Sequence, residues 1–101
     1  MADVIIPKQT RLTKKGNIVS IVAWSVPKSK DYPEGINYSF ALVHKNKRVL
    51  GYDNNTNEGH HRHCIKDGRE AKEKIEFKTL ESIFQRFAKD VGEFEGGKDE
   101  S

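Results

Sequence analysis

The chain has 101 residues, of which 35% are apolar, and it carries a net charge of +3 at pH 7. This length fits a single domain with a modest core, and the apolar content is too high for a chain that is disordered throughout. No apolar run is long enough to cross a membrane, and the run at residues 4–6 stops at Pro7, far short of a secretory signal. The single cysteine, Cys64, excludes an internal disulfide and indicates a reducing, cytoplasmic location.

The first part of the chain predicts strands separated by turns. A short strand at residues 10–13 precedes a turn at residues 14–17, where Gly16 and Asn17 tolerate a positive φ. A β-rich run at residues 17–26 follows and ends at Pro27. Its apolar residues occupy both faces, which indicates a central strand that is at least partly covered on each side.

Residues 36–53 predict the clearest hairpin. Along residues 36–44 the side chains alternate, and one face carries Ile36, Tyr38, Phe40 and Leu42. A tight turn at residues 45–47 leads into a return strand at residues 48–53. The apolar face of this hairpin is the natural surface for a helix to cover.

The remaining elements are a loop, a strand and a helix. Residues 54–69 are predicted to form a loop, and residues 73–77 a short strand. Apolar residues recur at helical spacing over residues 80–91. Thr79 is a suitable N-cap, and Gly92 is placed to end this helix.

Together these elements predict an α+β domain. Its expected architecture is an antiparallel β-meander of four to five strands with one C-terminal amphipathic helix packed on one face. The domain is expected to span residues 1–92, followed by an acidic flexible tail at residues 93–101. The side chains expected to be largely buried are Trp24, Phe40, Ile75, Phe84 and Phe87.

A cluster of histidines is the main chemical signal. Three of the four histidines fall within four residues and flank an arginine: His60, His61, Arg62 and His63. Histidine exchanges protons near neutral pH, and arginine suits phosphate or carboxylate groups. Asp53 lies upstream, where it could orient an imidazole. A solvated polar loop without chemistry, with Asp53 or Asn54 capping a local turn, is the alternative interpretation.

A longer pattern joins these histidines to the end of the preceding strand. It opens with Tyr52-Asp53-Asn54 and closes with Gly59-x-His61-Arg62-His63, and the helix adds Leu80, Phe87, Asp90 and Val91. Over residues 16–92 the chain thereby resembles the TumE-like toxin family, small prokaryotic proteins of toxin–antitoxin pairs. Asn57 and Glu58 stand where the family pattern has glycine and often lysine, and His60 where it has another polar residue. The resemblance implies a toxin role beside a cognate antitoxin protein.

The first functional hypothesis is a ribonuclease that needs neither a metal nor another cofactor. His61 and His63 would form the acid–base pair, and Arg62 or Arg48 would stabilise the charge on the phosphate. In an extended segment His61 and His63 point the same way and Arg62 points opposite, which favours Arg48 as the cation.

We therefore expect two sets of site residues around a cleft at the end of the strand at residues 48–53. The expected catalytic residues are Asp53, His61, Arg62 and His63. The expected substrate-binding residues are Arg48, Tyr52, Asn54 and His60. His44 is excluded because it lies at the opposite end of the hairpin.

Two alternative functions use the same residues. His61 and His63, with Asp53 or Cys64, could bind zinc or nickel. The chain has no helical HxxxH pattern and no CxxC pair, so no metal ligand is assigned. A non-catalytic binding module, in which the same segment contacts a protein or an anion, is the other alternative.

The charge distribution bears on partners. The first fifty residues carry nine lysines and arginines against three acids. This asymmetry indicates an anionic partner such as RNA, with lysines that protect strand edges as the alternative. Because short chains often rely on oligomerisation, a homodimer is a further expectation, and no membrane partner is expected.

Overall fold

The fold is a six-stranded antiparallel meander with one helix on one face. It is described from a computed structural model that covers residues 3–54, 59–66 and 68–96. The strands lie in sequence order, so each pairs with its neighbour in the chain. The elements are β1 Asp3–Leu12, β2 Ile18–Ser25, β3 Ile36–His44, β4 Lys47–Asp53, β5 His61–Lys66, β6 Arg69–Lys74 and α1 Leu80–Phe94. The α+β class and the packed C-terminal helix are confirmed, whereas the expected count of four to five strands is too low.

The strand that the sequence failed to predict is β5, which lies within the expected loop at residues 54–69. It is held on both sides by antiparallel pairing, with β4 on one edge and β6 on the other. The final strand also runs over Arg69–Lys74 rather than residues 73–77. Both strands are rich in charged and histidine side chains, so neither shows the apolar alternation that marks a strand. Residues 55–58, which include Asn57 and Glu58, lie outside the described residues.

The core lies between α1 and the middle of the sheet. The predicted β3–β4 hairpin is confirmed, and its turn uses positive φ values at Lys45 and Asn46, as two-residue hairpin turns require. Alternation along β3 directs its apolar face toward the helix, where Phe40 is 1% exposed. From α1, Phe87 is 2% exposed, and its ring centroid lies 5.7 Å from that of Phe40. The prediction that Phe40 and Phe87 are buried is therefore correct.

The burial predicted for the other three side chains is wrong, because each of them is partly exposed. Trp24 is 37% exposed because it pairs with Asn37 on the sheet face turned away from α1. Phe84 is 38% exposed, because it lies on the flank of the helix and meets Phe40 only edge-on. The helix residue that is fully buried is Ile83 rather than Phe84. Ile75, which lies beyond the end of β6, is half-buried.

The ends of α1 are fixed by side-chain hydrogen bonds. Thr79 is the N-cap, as predicted, and forms a reciprocal capping box with Ser82. Gly92 does not end the helix, which continues to Phe94, so the first two residues of the expected tail are helical. The carboxylate of Glu95 accepts hydrogen bonds from Thr13 Oγ1 and Asn17 Nδ2 at 2.6 and 2.7 Å, which ties the helix end to the β1–β2 turn. In the described part of the chain, no helix is long and apolar enough to span a membrane.

Candidate functional site

The pairing of β4 with β5 brings three candidate residues together. Asp53 lies opposite His61, and Gly51 lies opposite His63. Residues opposite each other in a ladder share a face, as do residues two apart in a strand. Asp53, His61 and His63 therefore lie on one side of the sheet, here called the histidine face. Among the described elements, only α1 packs on the sheet, and it covers the other face.

The side chains of these residues converge on the Asp53 carboxylate. Asp53 Oδ1 lies 3.7 Å from His61 Nε2, and Asp53 Oδ2 lies 3.5 Å from His63 Nε2. The two imidazole rings are 5.0 Å apart between centroids. The Asp53 and His61 side chains are buried, whereas His63 is 15% exposed and is the accessible member. The three residues can each offer one metal-ligand atom, all within 4.8 Å of one another.

The orientation of His61 is set by the backbone. Its Nδ1 lies 2.7 Å from the Gly59 carbonyl oxygen, which can only accept a hydrogen bond. Nδ1 therefore carries the proton, and Nε2 faces Asp53. Gly59 has a φ of 81°, a left-handed conformation that glycine adopts at little cost. A side chain at this position would strain the turn that presents its carbonyl to His61.

Arg48 supplies the cation on the histidine face. The β3–β4 register shifts between the Leu42–Leu50 pair and the Val43–Arg48 pair, directly after Arg48 in the chain. A bulge of this kind redirects side chains, and the guanidinium reaches to 3.9 Å from Asp53 and 3.9 Å from Glu70. The Arg48 side chain passes over Gly51, where an added Cβ would meet it at 3.5 Å, an ordinary van der Waals distance.

The electrostatic environment favours the neutral form of His63. Burial lowers the pKa of His63, and the nearby Arg48 cation lowers it further, while Asp53 acts in the opposite direction. His61 and Lys72 also lower the pKa of His63, and the effects that lower it prevail. His63 thus presents an imidazole whose unprotonated form is favoured near the Arg48 guanidinium.

Arg62 lies on the opposite face of the sheet. It pairs across the ladder with Tyr52, and its Nε donates to Asp90 Oδ2 of α1 at 2.9 Å. The Tyr52 hydroxyl donates to the same carboxylate oxygen. Burial lowers the pKa of Arg62, but its hydrogen bond to Asp90 outweighs this, and the pKa is raised. The structure therefore separates Arg62 and Tyr52 from the histidines, and Arg48 takes the position expected for Arg62.

Comparison with protein families adds a match over nearly the whole chain. Residues 2–95 match the family model described as toxin TumE. The chain belongs to the TumE toxin family. Comparison with curated proteins and with solved structures gives no match. The resemblance found in the sequence is thus confirmed, and membership of this family supports a toxin role.

The structure divides the TumE-like sequence pattern into two groups of residues. Asp53, His61 and His63 form the cluster on the histidine face. Tyr52 and Arg62 alternate with them and bind Asp90, which also belongs to the pattern, on the helix side. Burial, followed by the hydrogen bond to Asp90, raises the pKa of Tyr52 to about 12. This second group fastens the helix to the two strands that carry the cluster.

Two further residues expected to contact substrate, Asn54 and His60, have hydrogen-bond partners within the chain. Asn54 is 1% exposed; its Oδ1 accepts from the Tyr38 backbone N–H, and its Nδ2 donates to the Ile36 carbonyl. Its amide thus extends the β3–β4 ladder beyond the last residue of β4. His60 Nδ1 lies 3.0 Å from the Tyr38 hydroxyl, and Nε2 lies 3.0 Å from Glu34. The His60 ring also stacks on Phe77 at 4.5 Å, away from the cluster.

In addition to Arg48, two lysines of β6, which are not among the predicted site residues, lie on the histidine face. Lys72 lies opposite His63 and Lys74 opposite His61, so both share the histidine face. The basic residues of β1, such as Lys8 and Arg11, belong to the strand at the other edge of the sheet. The lysines that alternate along β6 are the signal that could have pointed to this side.

Proposed function

We propose that this TumE family member is a toxin that acts by cleaving RNA on its histidine face without a metal, and that a cognate antitoxin protein neutralises it in the cytoplasm. The observation that supports cleavage is that two imidazoles and one guanidinium each lie within 3.9 Å of the Asp53 carboxylate. Family membership supports the toxin role. The helix side of the sheet serves as the support for this site.

The proposed reaction is attack of a ribose 2′-oxygen on the adjacent phosphorus. His63 takes the proton from the 2′-hydroxyl, and the bond from phosphorus to the 5′-oxygen breaks. His61 gives a proton to the leaving 5′-oxygen through Nε2, since Nδ1 is bound to the Gly59 carbonyl. The products are a 2′,3′-cyclic phosphate and a 5′-hydroxyl, which balance the atoms and protons of the substrate. Asp53 holds both rings in place through its two oxygens.

Arg48 binds the phosphate in this proposal. Its side chain is 40% exposed, beside the partly exposed His63, so substrate approaches the cluster from this side. A fixed guanidinium stabilises the additional negative charge of the pentacoordinate transition state. Lys72 and Lys74, which lie opposite His63 and His61, add positive charge to the same face.

The first prediction concerns growth arrest and RNA ends. Expression of the wild-type chain should arrest growth and produce RNA fragments with 2′,3′-cyclic phosphate and 5′-hydroxyl ends. His63→Ala or Arg48→Gln should lower the rate of cleavage by purified protein by about a hundredfold or more. Purified protein should remain active in EDTA, because no metal takes part in the reaction. His44→Ala is the matched control, since His44 bonds to Asn17 remote from the cluster.

The results of these experiments distinguish the toxin role, the ribonuclease activity and its independence of metal. Growth arrest with intact RNA would retain the toxin and discard the ribonuclease. Activity that disappears in EDTA would discard the metal-independent mechanism. Equal loss in the His44→Ala variant would mean that the substitutions act through folding rather than through the site.

A further inference from the structure

We propose that Asp53, His61 and His63 form a binding site for one divalent transition-metal ion of the zinc or nickel class. The inference uses the same cluster as the proposed ribonuclease, but it does not depend on RNA cleavage. It rests on the positions and surroundings of the three side chains.

The spacing of the donor atoms fits a small cation. A tetrahedral ion with ligand bonds of about 2.0–2.1 Å separates its ligand atoms by roughly 3.3 Å. The separations between Asp53 oxygens and the two histidine Nε2 atoms are 3.7 and 3.5 Å. These two separations involve different oxygens of Asp53; with one ligand atom from each residue, all three atoms lie within 4.8 Å of one another. Side-chain rotations that shorten the longest of these separations to roughly 3.3 Å would place all three atoms around one ion. Three protein ligands leave at least one coordination position for water.

The hydrogen bond that orients the His61 ring is of the kind found at metal-binding histidines. Metal-bound histidines commonly donate their second ring N–H to a carbonyl or carboxylate, which fixes the tautomer and the ring orientation. Here Nδ1 of His61 lies 2.7 Å from the Gly59 carbonyl, and Nε2 is directed at Asp53. The exposed fraction of the His61 residue is 4%, and that of Asp53 is 6%. The site therefore has a prearranged ligand and is largely shielded from solvent.

The donor set indicates the class of metal. Two imidazole nitrogens and one carboxylate oxygen suit zinc, nickel or copper, whereas magnesium and calcium prefer oxygen ligands. Cys64 contributes no thiolate, because it pairs with Leu50 on the helix side and lies 3.3 Å from Arg62. Arg48, at 3.9 Å from Asp53, is a positive charge that competes with the ion for the carboxylate.

Metal binding would regulate the proposed ribonuclease. An ion bound to Nε2 of His61 excludes the proton that this atom would give to the leaving oxygen, and it also takes Asp53 away from its contact with His63. The metal-free protein is then the active form, and a zinc- or nickel-bound protein is inactive. Addition of a chelator would restore cleavage.

Calorimetric titration of the full chain, prepared without a polyhistidine tag and stripped of metal, tests the site directly. Zn²⁺ and Ni²⁺ should each bind with a stoichiometry of one ion per chain. Asp53→Asn, His61→Gln and His63→Gln should each weaken binding by at least about tenfold. His60→Gln is the matched control, because His60 is the adjacent residue and bonds to Tyr38 and Glu34 instead. Arg48→Gln should bind the ion at least as tightly as the wild type.

The melting temperature, measured with and without Zn²⁺, distinguishes a variant that has lost the metal site from one that has not folded. Zn²⁺ in excess should raise the melting temperature of the wild type and of His60→Gln, but not that of Asp53→Asn. Absence of one-to-one binding, or an equal loss of affinity in His60→Gln, would overturn the metal site. Loss of binding in Arg48→Gln would place the ion elsewhere and would also overturn it. A protein that cleaves RNA but binds no metal would retain the ribonuclease, and one that binds metal without cleaving RNA would retain the site alone.

Discussion

At the scale of single residues, Asp90 connects α1 to the strands that carry the cluster. Its carboxylate accepts hydrogen bonds from Arg62 Nε at 2.9 Å and from the Tyr52 hydroxyl, and it is thus a polar link between α1 and the β4–β5 pair. Asp90→Asn removes the negative charge from both bonds. We expect a loss of about 1.5–3 kcal/mol in the free energy of unfolding, measured by urea denaturation, because hydrogen bonds to charged groups contribute this much.

The control for this substitution is Asp31→Asn. Asp31 is exposed in the loop before β3, so the same chemical change there should stay within about 0.5 kcal/mol of the wild type. Equal effects at the two positions would show that Asp90 does not hold the helix. A Tyr52→Phe variant should fall between the two, since it removes only one of the bonds to Asp90.

The same scale shows what could be predicted of the site. The alternation of side chains in an extended chain predicts that His61 and His63 share a face and that Arg62 points away, and the structure agrees. The partners of Tyr52 and Asn54 could not be predicted. Tyr52 binds a helix residue that is 38 positions away, and the Asn54 amide bonds to the backbone of β3. Contacts between residues so distant in the chain depend on how the elements pack.

At the scale of elements, the rotation of α1 about its axis decides which aromatic residues stabilise the fold. Phe87 is 2% exposed and packs against Phe40 and Tyr52, whereas Phe84 is 38% exposed. We expect Phe87→Ala to lower the free energy of unfolding by about 3–5 kcal/mol. Phe84→Ala should cost about 1–2 kcal/mol, because only part of its surface leaves water on folding. If urea denaturation showed a larger loss of stability for Phe84→Ala than for Phe87→Ala, a different face of the helix would contact the sheet.

Elements also differ in how well the sequence predicts them. The β3–β4 hairpin is predictable because its strands alternate strongly around a short turn at Lys45 and Asn46. β6 has a single apolar side chain, Ala71, and β5 consists of mostly polar residues. Their extended conformation follows from pairing along the edge of the sheet, which the pattern of apolar residues does not report. The sequence therefore predicts a loop for residues 61–66, although they form a paired strand.

At the scale of the whole molecule, the two faces of the sheet have separate tasks. One face packs against α1 and contains the core, including Phe40 and Ile83. The other carries the cluster of Asp53, His61 and His63. Because side chains alternate along a strand, each residue that builds the core from β4 or β5 is next to one that can serve the site. Substitutions on the helix side should thus act mainly on stability, and those on the histidine face mainly on binding and cleavage.

The charge of the molecule predicts which surface RNA would contact under the proposed function. Lys72 and Lys74 share the histidine face, whereas Lys8 and Arg11 belong to β1 at the far edge of the sheet. The double variant Lys72→Gln/Lys74→Gln should weaken binding to single-stranded RNA and lower the slope of log affinity against log salt by about 1.4, for two lost phosphate contacts. Lys8→Gln/Arg11→Gln removes the same charge and should leave the slope unchanged. Fluorescence anisotropy at several salt concentrations measures both, and a reversed order of effects would place RNA on β1, as the charge of the N-terminal half alone suggests.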